Sequence, residues 1–130
     1  MTEEERQSRL LLGQQLRTQA EHRSEIEMRQ SLSRMYYAVY HVAAVLLGRE
    51  YSHQKIAVKL SALEGGDYLS SSYKQLQVAR SKANYHHDWI SREFGSLVGF
   101  RVRFEELILL GSELDERMRQ LIQREGAGHG

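Results

Sequence analysis

The chain has 130 residues, with 18 Lys+Arg against 17 Asp+Glu, no cysteine and no proline. That length suits one domain with one ordinary core, and the missing cysteines exclude disulfide scaffolds, thiol nucleophiles and Cys-ligated zinc or iron–sulfur sites. No apolar run approaches the roughly 18 residues needed to span a bilayer, and the polar start MTEEERQSR lacks the basic-then-apolar order of a signal peptide, so a cytoplasmic protein without membrane contact is expected.

Average usage would place about six prolines in this length, so their absence favours long helices over a turn-rich β-sandwich. Thr2 and Glu5 have capping-box spacing and predict a first helix from residue 3 to about His22, with Leu10, Leu11, Leu12 and Leu16 as its apolar part. Ser24 and Glu27 repeat the spacing and start a second helix at Glu25. Its stripe is Met28, Leu32, Met35, Tyr36, Val39, Val42, Ala43 and Leu46, and Gly48 stops it. Ser52 can cap a short helix from His53 to Leu63. Gly65-Gly66-Asp67 breaks the chain, and Ser70-Ser71-Ser72 predicts a polar loop before a helix from about Tyr73. Gly95-Ser96 marks a further break. A last helix follows, with Leu97, Phe104, Leu107, Ile108, Gly111, Leu114, Met118, Leu121 and Ile122 at three- and four-residue steps. The expected fold is all-α, an antiparallel bundle of four to five helices over residues 1–125, with 126–130 as a disordered tail.

The net charge of +1 conceals an uneven distribution: residues 28–104 hold eleven bases and five acids, while both ends are acidic. Fourteen of the 18 bases are arginine, suited to bidentate phosphate contacts. This pattern fits either a phosphate-binding middle or a solvated surface with ordinary helix ion pairs. Two segments combine aromatics, arginine and histidine on core-forming helices: 33–41 (SRMYYAVYH) and 79–87 (ARSKANYHH). Tyr36 lies on the apolar stripe and suits packing; Tyr37 and His41, four apart, lie off its centre and suit an interface or a site as well as a satisfied boundary pair. At about 100° per residue, Arg80 and His87 nearly eclipse on one helix face, and a bend near Tyr85 could bring His86 or His87 to the guanidinium. Arginine with histidine is a minimal set for cutting RNA without a metal. Histidine moves protons at the ribose 2′-hydroxyl or the leaving 5′-oxygen, and arginine holds the scissile phosphate. The same spacing also arises in any arginine-rich helical protein, where adjacent histidines cap helix-end carbonyls. Residues 86–88 make a poor metal site because neighbours on a helix diverge, so no metal or cofactor is expected.

Three blocks, Ser33–His41, Ser52-His53-Gln54-Lys55 and Arg80–His86, together resemble the HEPN domain family of small prokaryotic helical bundles. The first is similar to the family's Ser-x-x-Tyr-Tyr-Ala-x-(Phe/Tyr)-His stretch. The third is similar to Arg-x-x-Ala-Asp-Tyr, with Asn84 in the aspartate position. The resemblance covers roughly residues 25–122. It implies a dimerising bundle and, in active members, an endoribonuclease motif of Arg, four to six residues, then His, which Arg80 with His86 or His87 satisfies. It also implies toxin–antitoxin pairing with a minimal nucleotidyltransferase. On this basis Arg80, His86 and His87 are the expected catalytic residues, with Tyr85, Asn84, Tyr37 and His41 in support and RNA as substrate. Ser81 stands where active members often carry Asn, Asp or His, Tyr85 where a toxin subgroup places its histidine, and Asp88 where that subgroup carries tyrosine. The departures at Ser81 and Tyr85 fit the alternative, a non-catalytic module that binds RNA, a nucleotide or a partner nucleotidyltransferase. A homodimer is expected, with the Arg80–His87 segments near the two-fold axis and Tyr37, Tyr85 and Trp89 in the contact.

Overall fold

All eight residues of the expected stripe on the second helix are buried, and so are Ala38, Ala44 and Val45. A helix apolar around most of its girth needs neighbours on several sides, and this one touches four others. The computed structural model describes residues 1–19 and 25–129, with side chains for 1–17 and 25–125. It contains α1 (Glu3–Gln19), α2 (Glu25–Leu47), α3 (His53–Ser61), α4 (Gly66–Tyr85), a π-helical turn (Ile90–Phe94) and α5 (Leu97–His129). Among the described residues there is no strand, and no helix is long and apolar enough to cross a membrane. The molecule is an all-α bundle around α2. The six helical elements among the described residues exceed the expected four or five because the Gly95 break delimits a separate π turn.

The partners define how the helices run. Arg9 meets His41 while Gly13 lies against Ala38 and Val42, so α1 and α2 are antiparallel. Ser33 meets Asn84, Tyr37 meets Arg80 and Tyr36 meets Tyr73, so α2 and α4 are antiparallel as well. α5 approaches α2 at Gly111, where a Cβ would run into Met35 Cγ; glycine permits that closeness. α1 is joined to α5 through Asp115, which is fully buried. Asp115 Oδ2 accepts from Arg17 Nη1 at 2.8 Å and from Arg119 Nε at 3.0 Å, while Arg119 Nη2 donates to the Leu10 carbonyl at 3.1 Å.

Several expectations need correction. α4 begins at Gly66, so Ser70, Ser71 and Ser72 are helical rather than loop. The turn falls at Gly65, whose φ of 68° suits glycine. Burial of Leu69 and Tyr73 on the same helix outweighs the weak helix propensity of serine. Ser52 occupies the N-cap position of α3 but makes no side-chain capping bond, whereas Thr2 Oγ1 does accept from the Glu5 N–H at 3.1 Å. Leu97 is exposed, while Phe100, which the stripe omitted, is fully buried. Trp89 is buried against Phe94 and Phe100 (centroids 5.6 and 5.2 Å). It closes that end of the bundle and is not available to a dimer contact. The expected end of α1 at His22 and the Ser24 cap lie outside the described residues. In the 126–130 segment, α5 is described to His129 and no side chain is described.

Candidate functional site

Successive residues on a helix point about 100° apart, so Tyr36 faces the core while Tyr37 lies at its edge. The antiparallel α4 sets Arg80 opposite this pair. Arg80 Nη2 donates to the Tyr37 hydroxyl at 2.7 Å. The guanidinium carbon stands 5.1 Å from the Tyr37 ring centroid, 5.6 Å from Tyr36 and 6.0 Å from Tyr85, within cation–π range. Arg80 Nε is buried without a hydrogen-bond partner, and among the described residues no carboxylate pairs with Arg80. A half-buried cation held by rings, with no carboxylate partner among the described residues, has the chemistry to take an anion.

His53, the first residue of α3, joins the same cluster. Its imidazole stacks on Tyr40 (centroids 4.5 Å, planes 24° apart) and meets Tyr37 edge-on at 6.0 Å. Its Nδ1 makes a short hydrogen bond with the Tyr36 hydroxyl, which in turn accepts from Tyr73 at 2.8 Å. Gln77 Nε2 donates to the His53 carbonyl at 3.4 Å, fastening the start of α3 to α4. Burial, reinforced by the charge of Arg80, holds the His53 imidazole below its ordinary pKa. Burial raises the Tyr36 and Tyr73 hydroxyls, so both stay protonated.

The other expected site residues are placed differently. The chain leaves the helix after Tyr85, with His86 extended (φ −117°, ψ 94°). Arg29 of α2 secures that end by donating to the carbonyls of Ala83, His86 and His87 at 3.1, 3.1 and 3.0 Å. The expected bend therefore exists, but both imidazoles are exposed. Neither makes a hydrogen bond or ring contact among the described residues, and neither reaches Arg80 within one chain. Asn84 bonds Ser33 Oγ at 3.5 Å, and Tyr85 is exposed beside Arg80. His41 lies at the far end of the aromatic row, against Tyr40 (5.5 Å), with Nδ1 3.1 Å from Arg9 Nη1. Arg9 also forms a close ion pair with Glu50. Burial chiefly, then the charge of Arg9, lowers the His41 pKa, and Glu50 opposes this. No group of three or more metal-ligating side chains occurs among the described residues. Helical spacing did not disclose His53, Tyr73 or Arg29 as parts of the site; the only signal for His53 was its place in the second family-like block.

The two depressed histidines make stability depend on pH. The unfolded chain takes up their protons near the ordinary value of 6.5, whereas the fold takes them up only at lower pH. Their neutral forms therefore cost nothing well above 6.5, and stability falls as pH drops through that value. The urea midpoint should drop between about pH 7.5 and about pH 5.5, and a His41→Gln/His53→Gln double variant should show a smaller drop.

Comparison with protein-family models, with curated proteins and with solved structures finds no match to this chain.

Proposed function

We propose that the protein is a metal-independent endoribonuclease of HEPN-like design, working as a homodimer in the cytoplasm. The observation that carries this reading is Arg80, a half-buried cation without a carboxylate partner among the described residues. It lies where the three family-like segments converge. Arg80 holds the scissile phosphate and stabilises the charge that develops on it. His86 or His87 removes the proton from the 2′-hydroxyl, whose oxygen attacks phosphorus. The bond to the 5′-oxygen breaks, and a second imidazole protonates that oxygen. Two proton transfers call for two positioned groups, and a second copy supplies the second set. Tyr85, exposed beside Arg80, suits the contact between copies. A minimal nucleotidyltransferase is the partner that would restrain such an enzyme as antitoxin.

One observation favours a second reading, a non-catalytic RNA- or nucleotide-binding module: the imidazoles of His86 and His87 are exposed and held by no side-chain contact among the described residues. Incubating purified protein with RNA in EDTA, alongside sedimentation, separates the two. The enzyme reading expects cleavage products and a species of about twice the 15.1 kDa chain mass. Intact but shifted RNA selects the binding module, and RNA neither cut nor bound removes both the enzyme and an RNA-binding module.

A further inference from the structure

The Tyr73–Tyr36–His53 chain has a direction. Tyr73 and Tyr36 are both fully buried, and the Tyr73 hydroxyl donates to the Tyr36 oxygen. The Tyr36 O–H then points to the other polar atom it meets, His53 Nδ1, and donates to it. Reversing the chain would leave the Tyr73 proton in the core with no acceptor among the described residues. A buried unmet donor is costly. Nδ1 is therefore the acceptor, and a neutral imidazole with Nδ1 unprotonated carries its proton on Nε2. With Nδ1 turned inward to Tyr36, Nε2 lies across the ring, away from the buried pair, and makes no described hydrogen bond. Tyr40 and Tyr37 fix the ring plane by stacking and by an edge contact. Tyr36 and Tyr37 are ring neighbours of both His53 and Arg80.

We propose that His53 binds phosphate: its Nε2–H, set by Tyr36 and Tyr73, donates to the same RNA phosphate that Arg80 holds. Tyr36 and Tyr73 are positioning residues that act through the imidazole. The assignment rests on the functional reading above and divides the labour among its histidines. A ring whose outer nitrogen already bears a proton cannot remove another one there, so abstraction from the 2′-hydroxyl stays with His86 or His87. His53 supplies a neutral donor that needs no change of protonation as negative charge builds on the phosphate.

Nitrogen-15 NMR of the histidine-labelled full chain tests the tautomer directly. The expected result is a protonated Nε2 and a bare Nδ1 in the wild type, with that bias reduced in Tyr36→Phe and Tyr73→Phe. A protonated Nδ1 in the wild type overturns the proposal. Binding is read with a labelled single-stranded oligonucleotide whose 2′-positions are methylated to prevent cleavage. His53→Ala should bind about tenfold or more weakly, the loss expected for one hydrogen bond to a charged group. His53→Gln, whose amide can reach near the Nε2 position, should recover most of that loss. Inorganic phosphate should compete only weakly; competition matching the oligonucleotide would assign the site to the free anion and overturn the RNA-borne ligand. If Arg80→Ala loses binding while His53→Ala binds like the wild type, the His53 proposal falls and the functional reading stands. If Arg80→Ala also binds and cleaves like the wild type, the functional reading itself falls.

Discussion

An Arg80→Ala variant should cleave RNA on the order of 10²–10³-fold more slowly than the wild type, the loss typical of removing one preorganised charge-stabilising group. Its fold should be largely preserved. Among the described residues the guanidinium makes one hydrogen bond, to Tyr37, and leaves Nε buried and unpaired. Truncation therefore removes cation–π contacts worth about 0.5–2 kcal/mol but also relieves an unmet donor. Arg80→Lys keeps the charge without the planar fork and should fall between the two. Cleavage rates at saturating RNA, beside urea unfolding of each variant, check both halves. An Arg80→Ala enzyme with wild-type turnover would falsify the mechanism.

Asp115→Ala should destabilise the fold by about 3 kcal/mol, near the lower end for breaking a buried ion pair from one side. The carboxylate is fully buried between Arg17 of α1 and Arg119 of its own helix, and those arginines are about a quarter exposed. Their exposure moderates the cost, because water screens the cations once the anion is gone. Asp115→Asn keeps the shape and one acceptor oxygen and should lose less. The urea midpoint is the measurement, and a loss below about 1 kcal/mol would mean that solvent already screens the triad. Binding of RNA under conditions where the variant is folded should be unchanged, since Asp115 joins α1 to α5 while the site lies between α2, α3 and α4.

Much of the fold was legible because it depends on period and punctuation. The Met28–Leu46 stripe located α2, and Gly48 and Gly95, both at positive φ, marked real breaks. The serines at 70–72 misled because their propensity acts locally, while the pull of Leu69 and Tyr73 into the core is tertiary. The site was harder for a different reason. Helical spacing relates residues three, four or seven apart, whereas the bonds that build the cluster join Tyr36 to His53, Tyr36 to Tyr73 and Tyr37 to Arg80. The last two pairs are visible only once α2 and α4 are known to be antiparallel, and the first only once the start of α3 is placed against α2. The eclipse of Arg80 and His87 assumed a helix that continues past residue 85, and the helix ends there. Arg29 shows what replaces it: a cation from another helix that satisfies the carbonyls left open by that ending.

Tyr36 belongs at once to the interior and to the cluster around Arg80. Its ring is packed in the core, and its hydroxyl links Tyr73 to His53. On the proposed role, selection on ligand recognition and selection on foldability therefore act on the same residue. A descendant that abandoned its ligand would still need an aromatic ring at this position, so the ring would outlast the hydroxyl. Loss of function should leave a chain with phenylalanine at 36 and 73, and drift free to begin at Arg80, whose removal the core would tolerate.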